Sequence, residues 1–202
     1  MNWELLSIMG IIAFALSGAL VAMEEEYDIL GVYVLGLCTA FAGGVIRNIL
    51  IGKPVTLLWE QSLYFQLALV AMTLLFLLPI KWIKIWRSTE VVFDAMGLAA
   101  FSIQGAMYAR DMGHPLTAII VAAMLTGIGG GVIRDVLAGR KPLVLRDEVY
   151  AVWGIVAGVC VGLGLIQHTW HTIMLFSFVV VMRMVSYYFK WKLPTRSLKD
   201  FR

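Results

Sequence analysis

The chain carries one long motif twice. TAFAGGVIRNILIGKP at 39–54 returns as TGIGGGVIRDVLAGRKP at 126–142, and a shift of 87 residues places Arg47 on Arg134. The same shift gives 16 identities over the 49 positions from 4 to 52. Apolar composition alone does not readily produce Gly-Gly-Val-Ile-Arg at a constant offset. The sequence therefore predicts that one structural unit was duplicated.

The duplicated unit is apolar enough to lie in a membrane. Of the 202 residues, 61% are hydrophobic and 14% are charged, whereas soluble chains are nearer a quarter charged. This composition excludes an ordinary cytosolic enzyme and a nucleic-acid-binding module. About 20 mainly apolar residues cross the ~30 Å hydrocarbon core. Seven segments of this kind lie near 4–23, 29–51, 62–80, 91–109, 115–138, 149–166 and 169–189. We predict an all-α membrane protein with seven transmembrane helices.

Each copy contains three of these segments, which is an odd number, so the second copy must enter the membrane upside down. We predict an inverted 3+3 repeat plus one extra C-terminal helix. The predicted parts are a first repeat at 1–87, a second at 88–168, the seventh helix at 169–189 and a basic tail at 190–202. In repeat-built membrane proteins, the pathway lies at the interface between repeats.

Basic residues predict the orientation of the chain, because lysine and arginine accumulate on the cytoplasmic side. One side has only Lys53 and Arg110. The other side has eleven: Lys81, Lys84, Arg87, Arg140, Lys141, Arg146, Lys190, Lys192, Arg196, Lys199 and Arg202. We predict a multi-pass protein of the cell (inner) membrane, with the N-terminus outside and the C-terminus in the cytoplasm.

Runs of glycine interrupt the second and fifth apolar segments. The glycines are Gly43, Gly44, Gly129, Gly130 and Gly131. Small residues allow close helix packing when they are four apart, but adjacent glycines do not share a helix face. We therefore expect these runs to kink or interrupt their helices, which would free backbone carbonyls beside a pathway.

An arginine follows each glycine run. A charge at the bilayer centre costs roughly 2.5–3.5 kcal/mol on insertion scales, and either arginine could instead extend to the membrane surface. Because Arg47 and Arg134 follow the same glycines in both copies, we predict that both face an aqueous cavity. The next residues, Asn48 and Asp135, occupy equivalent positions and are further candidates for the pathway.

Three other polar residues are candidates for the pathway. Asp94, equivalent to Ser7, could be a pathway carboxylate, a partner for an arginine, or a residue at the membrane interface. Thr39 and Thr126 are equivalent, and each could line the pathway or bond a neighbouring helix.

The chain lacks the patterns of catalytic and metal sites. HExxH, P-loop and GxSxG motifs are missing. His168 and His171 are three apart, but a third metal ligand does not accompany them. We predict neither an enzyme nor a resident metal or cofactor.

The doubled glycine–Val-Ile-Arg motif, on helices two and five of a 3+3+1 membrane protein, resembles the trimeric intracellular cation (TRIC) channel family. The likeness covers residues 4–189 and is strongest to compact prokaryotic members, also labelled glycine-transporter domains. The resemblance implies a homotrimer with a pore inside each protomer, passing monovalent cations (K⁺, Na⁺), chiefly potassium. It also implies that helices two and five line the pore. It assigns kinks to Gly43, Gly44, Gly130 and Gly131, and basic pore positions to Arg47 and Arg134.

Two points depart from a simple cation channel. In animal members, basic residues near the second motif contact acidic phospholipid; Arg134 matches that motif, whereas Arg140 and Lys141 only lie near it. An arginine also repels potassium by about 4 kcal/mol at ~4 Å and an effective dielectric of 20. Either an acid such as Asp94 or Asp135 neutralises it, or the arginine is a gate.

The alternative is a secondary transporter of a small zwitterionic solute such as glycine, in which Arg47 would bind the substrate carboxylate. A non-conducting scaffold would explain the glycines but not the paired arginines.

Overall fold

The computed structural model describes residues 3–79, 81, 89–145, 149–194 and 196, and within them the chain forms seven α-helices. They are α1 (Trp3–Glu24), α2 (Ile29–Ile51), α3 (Ser62–Leu77), α4 (Thr89–Asp111), α5 (Leu116–Leu137), α6 (Ala151–Gly162) and α7 (Thr169–Tyr188). Short 3₁₀ turns follow α2 at Val55–Glu60 and α5 at Leu143–Leu145. The basic residues Lys84, Arg87, Arg146, Lys199 and Arg202 lie outside the described residues.

Five of the helices, α1, α2, α4, α5 and α7, are long and apolar enough to cross a membrane. The other two are shorter than predicted, with 16 residues in α3 and 12 in α6. At α6 the cause is local: Gly164 adopts a left-handed φ of 74° and the Leu165 N–H bonds the Cys160 carbonyl at 3.1 Å, which closes the helix. Apolar side chains such as Leu74 and Leu77 point outward, as lipid contact requires.

The helices pack in two similar groups of three. In the first group α1 contacts α2 and α3, and in the second α4 contacts α5 and α6. The groups meet where α1 packs on α4 and α2 packs on α5, while α7 lies against α4 and α6. The predicted three-plus-three arrangement with one additional helix is confirmed; the repeat boundaries at 87 and 168 stay predictions.

Two aromatic rings mark the contact between the groups. Phe14 of α1 and Phe101 of α4 are equivalent under the 87-residue shift, and their rings meet edge to face at 5.3 Å. Each ring covers a glycine of the opposite group, Phe14 on Gly97 and Phe101 on Gly10, where a Cβ would collide with the ring. The contact is therefore reciprocal, as a two-fold relation between the repeats demands.

The two glycine-bearing helices also end alike. Gly52 after α2 and Gly139 after α5 adopt left-handed φ values of 74° and 69°, which glycine reaches without strain. The following N–H groups, of Lys53 and Arg140, bond the carbonyls of Asn48 and Asp135 at 2.8 and 2.7 Å. The motif therefore has one backbone conformation in both repeats.

Candidate functional site: two equivalent arginines in unequal surroundings

The glycine runs do not interrupt their helices. Continuous α-helix runs through Gly43 and Gly44 in α2 and through Gly129, Gly130 and Gly131 in α5. The glycine runs therefore do not break either helix, whereas the kinks stay a prediction. What each glycine faces shows another use for its small size.

Two of these glycines bring the helix backbones into direct contact. A Cβ on Gly43 would collide with the carbonyl oxygen of Thr126, and a Cβ on Gly130 would collide with that of Thr39. The adjacent glycines face other neighbours. A Cβ on Gly129 would meet Ile46, and those on Gly44 and Gly131 would lie nearest to arginine, tyrosine or aspartate side chains. Adjacent glycines thus face different neighbours at one crossing of α2 and α5.

Thr39 and Thr126 lie fully buried at this crossing. Their hydroxyls donate to carbonyls of their own helices, Thr39 to Leu35 at 2.7 Å and Thr126 to Ala122. Neither threonine is among the residues that line the cavity described next. Each hydroxyl bonds the backbone of its own helix, because the preceding turn offers a carbonyl within reach. A place for these threonines in the pathway stays a prediction.

A cavity of about 530 Å³ lies beside this crossing, at the end of the molecule where α1 begins and α2 ends. Parts of α1, α2, α3, α4 and the 3₁₀ turn after α2 line it. Its polar lining includes Glu4, Ser7, Arg47, Lys53, Glu60 and Gln104. The cavity reaches Gly44, so it ends close to the crossing of α2 and α5.

Arg47 lies in the cavity wall and is 6% exposed. Its Nε and Nη2 donate to Asn48 Oδ1 at 3.1 and 2.9 Å, and its Nη1 donates to Gln104 Oε1 at 2.9 Å. The guanidinium also lies over the ring of Tyr108, at 4.3 Å from the centroid. All of these partners are neutral, so none of them offsets the positive charge of Arg47.

A second cation shares the same ring. Lys53 Nζ lies 4.0 Å from the centroid of the Tyr108 ring. Burial lowers the pKa of Lys53, the positive charge of Arg47 lowers it further, and Asp111 partly offsets both. The part of the cavity wall formed by Arg47 and Lys53 is therefore electropositive.

Arg134 has the opposite surroundings. It is fully buried, and its Nη1 donates to Asp94 Oδ1 at 2.7 Å and to the Ser17 hydroxyl. Its Nε donates to Asp135 Oδ1 at 2.9 Å, and Glu90 lies 3.7 Å from its Nη2. The expectation that Arg134 faces an aqueous cavity is wrong, because carboxylates of its own repeat enclose it.

The same end of the molecule carries a further ion-pair cluster that joins the two repeats. Arg140, after α5, contacts Glu25 at 2.6 Å and Glu24 at 2.9 Å, both at the end of α1. Burial opposes the charge of Arg140, but the hydrogen bonds that its guanidinium donates to Glu25 and Glu24 outweigh this effect and raise the pKa of Arg140. Asp135 Oδ2 also accepts the Leu143 N–H at 2.9 Å, which fixes the turn beside this cluster.

The two arginine sites match position by position under the 87-residue shift. Gln104 beside Arg47 corresponds to Ser17 beside Arg134. The remaining pairs are Asn48 with Asp135 and Ser7 with Asp94. The two arginines thus have neighbours at equivalent positions, but the carboxylates of Asp94 and Asp135 both belong to the second repeat.

Sequence reasoning missed several residues of these sites. Ser17 could have been found, because the repeat alignment places it on Gln104, a polar residue in an apolar helix. Tyr108 had no such signal, since its equivalent is Val21. Lys53 entered only the prediction of the chain's orientation, and Glu90 was not among the candidate residues.

The repeat also appears when the chain is compared with known families. The model of a family described as glycine transporter matches residues 4–79 and 91–165, two segments whose starts are 87 residues apart. The chain belongs to this family. Among its relatives, the UPF0126 membrane protein YvgT of Bacillus subtilis (strain 168) is 62% identical over 199 residues, 98% of either chain.

Solved structures similar to this glycine transporter family member are TRIC channels. One TRIC cation channel superposes with a TM-score of 0.84 at 30% identity, covering 98% of this chain and 99% of its own. The TRIC trimeric intracellular cation channel orthologue from Rhodobacter sphaeroides gives 0.81 at 26% identity, covering 93% and 98%. The resemblance drawn from the doubled motif is confirmed, and the chain is a membrane protein of this family.

Proposed function

We propose that the protein is a channel for monovalent cations, permeable to potassium, with the pathway inside each protomer along the α2–α5 contact. The observation that carries this proposal is the polar cavity that ends beside the crossing of these two helices. The similarity to TRIC cation channels supports it. This is transport without catalysis, so the protein is proposed not to be an enzyme.

The cavity is proposed as the outer vestibule of the pathway. Glu4 and Glu60 lie in its wall at exposed positions, where carboxylates attract cations from solution. At its inner end, Gly43 and Gly130 hold α2 and α5 in backbone contact, so the two helices must separate for an ion to pass. The structure is therefore interpreted as a closed state.

Arg47 is proposed as the electrostatic barrier of this state. A potassium ion about 4 Å from an uncompensated guanidinium meets a repulsion of about 4 kcal/mol at an effective dielectric of 20. Arg134 needs no such barrier role, because Asp94 and Asp135 offset its charge. Of the two arginines, Arg47 is thus the one expected to limit conductance.

Planar-bilayer recording of the purified protein tests the proposal. Unitary currents whose reversal potential in a KCl gradient follows potassium are expected, with sodium substitution giving the selectivity. Arg47→Gln should raise the unitary conductance. Arg110→Gln removes a positive charge from the same end of the molecule, outside the cavity lining, and should leave it unchanged. Bilayers that stay silent at all voltages contradict a channel.

A carrier of a small zwitterion such as glycine is the second candidate. The observation in its favour is the pairing of Arg47 and Lys53 with Glu4 and Glu60 in one cavity, which suits a carboxylate and an ammonium group together. Saturable uptake of radiolabelled glycine into proteoliposomes, without unitary current, would favour the carrier.

The assembly and orientation follow the same family likeness. We propose a homotrimer in the cell membrane, with the cavity on the outer side and the Arg134 cluster on the cytoplasmic side. The clusters of basic residues predicted on the cytoplasmic side, among them Arg140 and Lys141, are proposed to lie near acidic phospholipid headgroups.

A further inference from the structure

The two repeats differ in how they balance a buried arginine. In the second repeat, Asp94 and Asp135 contact Arg134 at 2.7 and 2.8 Å. In the first repeat, the equivalent positions hold a hydroxyl and an amide, Ser7 and Asn48. The protein therefore supplies counter-charge to one arginine and leaves the other without it.

The guanidinium of Arg47 has N–H groups that the hydrogen bonds to Asn48 and Gln104 do not use. A guanidinium has five N–H groups, and three hydrogen bonds to Asn48 and Gln104 account for three of them. Within residues 3–79, 89–145 and 149–194, carboxylate oxygens do not come within the 4.0 Å of an ion pair with Arg47 or Lys53. Two neighbouring cations thus share one ring without an anion between them.

Removing a charge from water is costly unless an opposite charge accompanies it. Arg47 is 6% exposed, and the charge of Lys53 adds repulsion to the cost of burial. Where the second repeat has the carboxylate of Asp94, the first repeat has Ser7, and Ser7 lines the cavity. Open space therefore lies where a carboxylate would otherwise balance the charge of Arg47. A cavity of about 530 Å³ holds a small solute together with water.

We infer that this cavity binds a small monovalent anion, a carboxylate or a halide, between Arg47 and Lys53, where it provides the counter-charge that Asp94 and Asp135 provide to Arg134. Arginine binds a carboxylate with two parallel hydrogen bonds, and the lysine ammonium adds a point charge. The site goes beyond the proposed channel activity, because anion binding is measured without ion flow. A silent bilayer and an absent anion site are therefore separate results.

Thermal unfolding of the detergent-purified protein tests the inference, in a buffer whose main anion is a bulky sulfonate such as HEPES, which is neither a carboxylate nor a halide. Sodium acetate, glycine and sodium chloride are titrated separately at constant ionic strength. A saturable rise of the unfolding midpoint is expected with acetate or chloride. Acetate alone indicates a carboxylate site, and chloride alone indicates a halide site. Glycine binding more tightly than acetate indicates that Glu4 or Glu60 holds the ammonium group.

Three variants separate the site from a general salt effect. Ser7→Asp builds the missing carboxylate into the wall and should raise the midpoint without added anion and abolish the response to acetate and chloride. Lys53→Gln should weaken the apparent affinity about tenfold, a change that loss of one ionic contact can produce. Arg110→Gln, on the same side but outside the cavity lining, should respond like the wild type. A response that is equal in all variants, or a wild type without a saturable response, would overturn the inference.

Discussion

Gly43 of α2 and Thr126 of α5 are in such close contact that a Cβ on the glycine would overlap the threonine carbonyl oxygen. The equivalent contact joins Gly130 to the carbonyl of Thr39. The two contacts are related by the repeat and lie on the same crossing. The helices α2 and α5 can therefore approach this closely only because Gly43 and Gly130 each have a hydrogen atom where other residues have a Cβ.

Gly43→Ala and Gly130→Ala are expected to destabilise the protein by about 1–3 kcal/mol each, the usual cost of overpacking a close contact. Gly44→Ala is the matched control, since its Cβ would meet only Arg47 Nη2 at 3.9 Å. Alanine favours a helix by about 1 kcal/mol over glycine, so the control should be neutral or stabilising. Thermal midpoints in one detergent measure all three.

Equal midpoints for the alanines at 43 and 44 would contradict the contact. If the proposed separation of the two helices opens the channel, Gly43→Ala should also raise the open probability in bilayers, because the added methyl group pushes the helices apart.

Asp94→Asn is expected to cost about 3–5 kcal/mol, the range for removing one partner of a buried ion pair. Asp94 contacts Arg134 at 2.7 Å, and both side chains are fully buried. Asp111→Asn is the control: it breaks a 3.5 Å pair with Arg110 at the surface, where an ion pair contributes about 0–1 kcal/mol. Denaturation in mixed micelles gives both free energies.

The double variant Asp94→Asn with Arg134→Gln checks the assignment. If the cost of Asp94→Asn comes from the lost ion pair with Arg134, the double variant should lose less stability than the sum of the two single variants. Strict additivity would mean that the aspartate acts through packing alone.

The sequence predicted the fold through its repeat. A duplicated unit with three membrane-spanning segments must be inverted in its second copy, and the lengths of the apolar segments leave few other arrangements. It also placed Arg47 in a cavity wall and allowed Asp94 as a partner of an arginine. Both followed from residue type and repeat position, which a linear pattern records.

The sequence could not show which residue of the adjacent helix each side chain or glycine contacts. Adjacent glycines look like a helix break until one knows that Gly43 and Gly130 face opposing carbonyls. Arg134 looked equivalent to Arg47 because both positions hold arginine in the repeat alignment. The alignment does not show that Glu90, one turn before Asp94, also lies beside Arg134. The two arginines therefore differ through their tertiary contacts, because a few substituted neighbours decide whether carboxylates balance the charge.

Lys53 makes stability depend on pH in the alkaline range. Its folded pKa lies below the ordinary 10.5, so the charged form is disfavoured in the folded protein. Below the folded pKa this cost is constant. As pH rises from the folded pKa to 10.5, the unfolded chain holds more protons and stability increases. The groups facing Lys53 are Arg47, Tyr108 and Asp111.

The difference in thermal midpoint between wild type and Lys53→Met, measured from pH 7 to 10.5 in buffer without acetate or chloride, should therefore move in favour of the wild type as pH rises. A difference that moves in favour of the variant would mean that Lys53 gains an anionic partner in the folded protein.

The inverted orientation of the repeats can be tested with two equivalent positions. Glu25 follows α1 and Met112 follows α4, 87 residues apart, and both are exposed. A Cys38→Ala, Cys160→Ala background removes both native thiols. In intact cells, a membrane-impermeant maleimide should label Met112→Cys and should label Glu25→Cys only after lysis. Since the two positions correspond in the repeat, labelling of both from one side would mean parallel repeats and would remove the basis for the α2–α5 pathway. Labelling with the sides exchanged would keep the inversion and place the Arg47 cavity in the cytoplasm instead.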